Sequence, residues 1–232
     1  MTSNTFLNKN ILITAGPTQE ALDPVRFISN HSSGKMGFAI AEAFLRQGAN
    51  VYLVSGPVSI TLEHPKLQVI AVKTANEMFL ACCRFFDLAD VVIFSAAVAD
   101  YRPANVATHK IKKQEDEFTI KMVKNVDIAY ELGKLKKANQ LIVGFALETN
   151  DEITHAIGKL RKKNFDMVVL NSMNDAHATF GHDTNKITIL KRDLVQKEFR
   201  LKKKSAVADD IVNEVTSMLL AQQALTEESN KN

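Results

Sequence analysis

The 232 residues include 46% hydrophobic and 24% charged side chains with a formal net charge of +3, an ordinary globular composition that excludes a disordered or fibrous chain. A core of this size needs no disulfide or metal, and the adjacent Cys82 and Cys83 cannot staple distant segments, so they read as core-filling thiols of a reducing compartment. A pI near 8.7 without a basic stripe interleaved with aromatics disfavours nucleic acid; with no apolar run near the ~20 residues of a membrane span and no signal-peptide core, the expected location is the cytoplasm.

The first apolar run, Ile11–Ile13, reads as a buried strand over 11–15. The loop after it leads to a helix over 33–47, closed by Gly48, with Met36, Ala39, Ile40, Ala43 and Phe44 on one face. Strand 50–54, short strand 67–72, helix 75–88 and strand 91–95 follow. Residues 108–123 hold two lysine-rich strand-like stretches around Gln114–Glu117 and read as a projecting hairpin. An isolated ribbon is marginal in water, so this one is expected to pack against a partner subunit. A helix near 127–136, strand 141–146, helix 151–163 and strand 166–170 complete the alternation. An antiparallel pair over 186–202 precedes a last helix over 204–221, and residues 222–232 are expected to form a polar, frayed tail. One domain over 1–221 is expected: an α/β, Rossmann-like, doubly wound and mostly parallel sheet with helices on both faces. Ligands then bind outside the C-terminal ends of the strands.

The segment from Thr14 to Gly37 carries the chemistry. A strand, a glycine-containing turn and a helix N terminus make an anion site, because first-turn N–H groups lack partners and the helix dipole favours negative charge. Ser32, Ser33, Gly34 and Gly37 permit close approach of a phosphate, and Lys35 adds charge. The dinucleotide fingerprint is absent: Gly16 is alone in the first turn, and no carboxylate follows strand 50–54. The P-loop pattern fails too, with Ser29 and Met36 where glycine and a hydroxyl residue belong. Small residues kept only for packing remain the alternative.

The segment resembles the signature of phosphopantothenoylcysteine synthetases, the coenzyme A ligases often fused behind a flavin-dependent decarboxylase. Four blocks match in order: Asp23–Gly37, Ser95–Pro103, Lys110–Lys113 with Ile120–Asn125, and Gly144–Phe145 with Glu148–Thr149. The likeness runs from about Ile11 to Val215. It implies a Rossmann-like ligase that dimerises and joins 4′-phosphopantothenate to L-cysteine at the expense of CTP, with Mg2+ accompanying the triphosphate. The carboxylate attacks the α-phosphate, pyrophosphate leaves, and the cysteine amine then displaces CMP from the acyl-cytidylate. Such chemistry needs positioning and charge stabilisation, not a protein nucleophile.

By this resemblance Asn30 contacts the acyl intermediate in the second half-reaction, although an Asn before a helix can simply cap it. Arg26 can clamp a phosphate or make a salt bridge. Gly16, Thr18, Arg26, Asn30, Ser33, Gly34, Lys35, Met36, Gly37 and Ala97 form the expected phosphate and substrate loop. Ser95, Ala96 and Asp100 are expected at the nucleotide, with Asp100 otherwise a turn cap. Lys110 is expected at the phosphates, or else as a solvated edge lysine; Lys112 and Lys113 are left to solvent. Val126, Asp127, Ile128 and Ala129 can offer N–H groups. Phe145 can stack on the base, and Lys159 and Lys163, four apart on a helix, can converge on one anion. The histidines show no metal-site clustering, His177 and His182 reading as loop residues. Against the family pattern, Asn171–Asp175 has two inserted residues, which puts the loop 171–186, a potential lid, in question. The chain opens on Met1 without a flavoprotein half, expected either as a separate ligase or as an excised domain. A nicotinamide-dependent oxidoreductase and a non-enzymatic nucleotide-binding module on the same fold are the rival readings.

Overall fold

The computed structural model describes residues 5–112, 117–172 and 182–229. Its elements are β1 (Asn10–Ala15), β2 (Gln19–Ala21), β3 (Phe27–Ser29), α1 (Lys35–Arg46), β4 (Asn50–Ser55), β5 (Leu67–Ala71), α2 (Ala75–Phe86), β6 (Val91–Phe94), β7 (Tyr101–Pro103), β8 (Met122–Lys124), α3 (Ile128–Lys134), β9 (Leu141–Glu148), α4 (Glu152–Lys162), β10 (Met167–Ser172), β11 (Thr184–Lys191), β12 (Gln196–Lys203) and α5 (Lys204–Ser229). Eight strands form one sheet in the order β12-β11-β10-β9-β6-β1-β4-β5. The six from β10 to β5 are parallel, and β11 and β12 add an antiparallel edge. This is the expected α/β, doubly wound architecture.

Successive strand side chains point to opposite faces, so the continuous apolar runs build two cores. Ile11, Ile13, Val91, Ile93, Val143 and Val169 pack beneath α1 and α5. Leu12, Val92, Phe94, Ile142 and Val168 pack beneath α2, α3 and α4. Helix α2 starts where the sequence signals it: Thr74 accepts from the Glu77 N–H at 3.2 Å, and the buried Glu20 accepts from the Ala75 N–H at 2.9 Å. Glu214 on α5 pairs with Lys191 on β11 and Lys197 on β12, at 2.7 and 2.5 Å, clamping the helix to the antiparallel edge.

Two expectations are corrected. Among the described residues, 108–112 and 117–121 carry no strand, and the tip residues 114–116 lie outside the described set. The antiparallel pair that does form joins β7 to β8, pairing Tyr101 with Lys124 and Pro103 with Met122, at the base of the excursion. The described residues between them leave Val106 and Phe118 exposed instead of packed into a face that would hold a longer ribbon. At the other end, α5 continues past Ala221 to Ser229, and Gln222 Nε2 donates to the Ala138 carbonyl at 2.6 Å. Residues 173–181 of the expected lid 171–186, including His177, also lie outside the described residues, while β10 and β11 claim both ends of that loop.

Candidate active site

From β1 the chain crosses through α1 to β4 and β5 on one side, then returns through α2 to β6 on the other. The C-terminal ends of β1 and β6 therefore diverge, leaving the crevice in which open α/β sheets bind ligands. Two loops line it and are tied together. Pro17 bridges to Ala97, Ala97 N–H donates to the Gly16 carbonyl at 2.9 Å, and Thr14 Oγ1 accepts from the Ala96 N–H at 3.2 Å. Asn30 Nδ2 donates to both the Ala97 and Val98 carbonyls, each at 3.1 Å. The opposite amide orientation would set oxygen against two carbonyl oxygens, so the oxygen Oδ1 is the group Asn30 offers to a ligand. Donation from Asn30 Nδ2 to the carbonyl of an acyl intermediate requires that tie to open first.

The crevice is divided into two cavities. The smaller, ≈ 160 Å³, is lined by Ser32–Gly37, Ser95–Ala97, Phe145–Leu147, Asn171, Asn185 and Lys204. Gly34 caps α1 with φ +76°, a left-handed conformation natural to glycine. Among the described residues the N–H groups of Lys35, Met36 and Gly37 carry no hydrogen bond, and Phe38 N–H makes the first helical one to Gly34. Gly37 has no room for a side chain: a Cβ there would sit 2.6 Å from Ala15 Cβ and 2.9 Å from Ser95 Oγ. The expected anion site thus faces a cavity, as do Ser33, Gly34, Lys35, Met36 and Gly37.

The larger cavity, ≈ 960 Å³, is lined by Thr14, Asn30, Phe94, Ala96–Tyr101, Lys124–Tyr130, Phe145, Leu147, Lys159, Lys162, Lys163 and Phe165. It gathers Ala96, Asp100, Val126, Asp127, Ile128, Ala129, Phe145, Lys159 and Lys163 of the residues expected at a nucleotide, whereas Ser95, expected with them, lines the smaller cavity. Ala96, Ala97, Phe145 and Leu147 form the wall the two cavities share. Two of its lysines arrive with a counter-charge: Lys159 with Glu148 at 2.6 Å, and Lys163 with Asp127 at 2.8 Å. Asp127 also caps α3 by accepting from the Tyr130 N–H. Asn125 Nδ2 donates to the Ala99 carbonyl at 2.8 Å and holds the β6 loop against β8.

Four expected ligand residues do other work. Thr18 is fully buried, and its hydroxyl accepts from the Ala99 N–H at 3.0 Å. Gly16 lines neither cavity; its φ of +73° turns the chain after β1. Arg26 gives Nε and Nη2 to Asp23, at 2.9 and 2.5 Å, and Nη2 also reaches the Ile111 carbonyl at 3.1 Å. Arg26 and the N–H groups of Val25, Ile111 and Arg26 hold the Asp23 carboxyl well below the usual carboxylate range, against the opposing effect of burial. Lys110 is exposed and outside both cavities, on the loop that this Asp23–Arg26 corner anchors through Ile111. Sequence reasoning missed Lys162, Tyr130, Asn171, Asn185 and Lys204. The i, i+3, i+4 set Lys159, Lys162 and Lys163 was readable as one face; Lys204, inside the run Lys202–Lys204, gave no local signal.

A doubly wound α/β sheet with a divided, cation-rich crevice at its switch point is the arrangement in which open α/β proteins bind their ligands. The chain belongs to the family described as the DNA/pantothenate metabolism flavoprotein C-terminal domain, whose pattern matches residues 6–219. It is 44% identical over 217 residues to the coenzyme A biosynthesis bifunctional protein CoaBC of Bacillus subtilis (strain 168), covering 94% of this chain and 53% of that protein. It is 48% identical over 219 residues to a cysteine/cysteine sulfinic acid decarboxylase of an unknown prokaryotic organism, covering 94% and 61%. The crystal structure of the C-terminal domain of a CoaBC bifunctional protein superposes with a TM-score of 0.80 at 40% identity, covering 94% of this chain and 100% of that one. The chain spans about half the length of the CoaBC relative.

Proposed function

We propose that this chain is a phosphopantothenate–cysteine ligase, joining 4′-phosphopantothenate and L-cysteine with CTP to give 4′-phosphopantothenoyl-L-cysteine, CMP and pyrophosphate. The observation that carries this is the shared wall. Two cavities rich in anion-binding groups meet at Ala96 and Ala97, beneath Asn30. In this reading the nucleoside occupies the larger cavity, with Phe145 against the base and Asp100 and the lysines around the ribose and phosphates. A carboxylate oxygen of 4′-phosphopantothenate attacks the α-phosphorus, and the bond to pyrophosphate breaks. The cysteine amine then attacks the acyl carbon, loses a proton, and the carbon–oxygen bond breaks to release CMP. No step calls on a side-chain nucleophile; held geometry and fixed dipoles supply the acceleration. Mg2+ enters with the triphosphate, whose oxygens are the hard ligands it prefers, and Asp100 at the cavity is the carboxylate best situated to assist.

Homodimerisation belongs to the same proposal. Val25, Phe27, Tyr101, Val106 and Phe118 are exposed on β2–β3, β7 and the excursion beside them, and such a cluster suits a second copy. Lys110 would then be ordered by the neighbouring subunit. No helix among the described residues is long and apolar enough to cross a membrane, in keeping with a cytoplasmic site of action. The cysteine-derived carboxylate of the product is the group a fused or separate decarboxylase would remove. The test is release of CMP and pyrophosphate that requires both 4′-phosphopantothenate and cysteine. Carbon dioxide release from cysteine, hydride transfer to a nicotinamide, or nucleotide binding without turnover would each contradict it. ATP or GTP serving as well as CTP would overturn the nucleotide assignment alone.

A further inference from the structure

Lys204 opens α5 and lines the smaller cavity, opposite the first turn of α1. Its position is unfavourable for the free protein in three ways. It is half-buried, its charge lies near that of Lys35, and it sits at a helix N terminus, where the dipole repels a cation and no acidic residue occupies the first turn. Burial, and then Lys35, push its ammonium below the usual lysine range, with only Asp183 opposing. Asp183 is itself engaged by Lys35 at 2.5 Å and is largely exposed, while Lys204 Nζ donates to the His182 carbonyl at 2.5 Å. Among the described residues no carboxylate lines the cavity. Ser95 Oγ, also in its wall, is buried with no hydrogen-bond partner. A buried hydroxyl without a partner, the three first-turn N–H groups of α1 that carry no hydrogen bond among the described residues, and the half-buried charge of Lys204, Lys35 being already paired with Asp183, leave a demand for an acceptor-rich anion.

We propose that the smaller cavity receives a phosphate group and that Lys204 is one of its ligands, together with the first turn of α1; the ligase reading bears only on which molecule brings that phosphate. The arrangement exchanges native stability for anion affinity, because the charge that disfavours the empty cavity is the one a phosphate compensates.

Calorimetric titration of the full chain with inorganic pyrophosphate tests this, using Lys204→Met and Lys204→Arg with melting curves taken without ligand. Lys204→Met should lose about 10- to 100-fold in affinity, the worth of one hydrogen bond to a charged group, yet melt no lower than the parent. Lys204→Arg should stay within about threefold, since charge and donor persist. Paired titrations of CTP against CMP, and of 4′-phosphopantothenate against pantothenate, identify the source: only the more phosphorylated member of one pair should weaken. Unchanged pyrophosphate affinity in Lys204→Met, no effect in either pair, or a melting temperature that falls together with affinity would overturn the proposal. Lys204-dependent pyrophosphate binding in a protein that performs no ligation would leave it standing and remove the ligase reading.

Discussion

At Asn30 one amide ties the two loops of the crevice through Ala97 and Val98. Asn30→Asp would turn that tie into repulsion between oxygens. In the proposed ligation activation occurs at phosphorus, so the variant should still form acyl-cytidylate, while aminolysis slows by about 10²–10³-fold, as when a positioned polar group is lost. Rapid-quench analysis with CTP and 4′-phosphopantothenate checks this; no intermediate in a folded, CTP-binding variant would contradict it. Asp23 makes a second case. Its folded pKa is depressed below the ordinary 3.8, so its contribution is present above that value and lost as pH falls below it. The melting-temperature difference between the parent and Asp23→Asn should be full at pH 7 and shrink below about pH 4. A difference that persists unchanged in acid would show that the Arg26 pair is not its origin.

Elements divide by how much of their placement is local. β1, α1, β6 and β9 were legible because continuous apolar runs and a 3.6-residue period report burial directly. The short pairs β2–β3 and β7–β8 were not, since three residues show no period and their pairing depends on the loops they close. The same distinction separates site residues. Ser33–Gly37 and Val126–Ala129 lie at the starts of helices that the sequence marks, so their facing followed. Thr18 and Arg26 have the same residue chemistry as ligands, but distant partners, Ala99 and Ile111, claim them. The β2–β3 and β7–β8 elements carry a prediction of their own. The double substitution Phe27→Glu and Phe118→Glu should convert a dimer to monomer at micromolar concentration in sedimentation. A parent protein that is monomeric and fully active at that concentration would exclude the interface.

For the whole molecule, the sheet brings six parallel strands to one edge and opens it between β1 and β6, so that two ligands can meet at a shared wall. In the proposed ligation a carboxylate oxygen becomes bonded to the α-phosphorus there and leaves with it. Labelling the 4′-phosphopantothenate carboxylate with ¹⁸O and following it by mass spectrometry through turnover with CTP and cysteine tests that step directly. One labelled oxygen should appear in the phosphate of CMP, with the other retained in the new amide carbonyl. Label in pyrophosphate or inorganic phosphate, or unlabelled CMP alongside amide product, would contradict the acyl-cytidylate route.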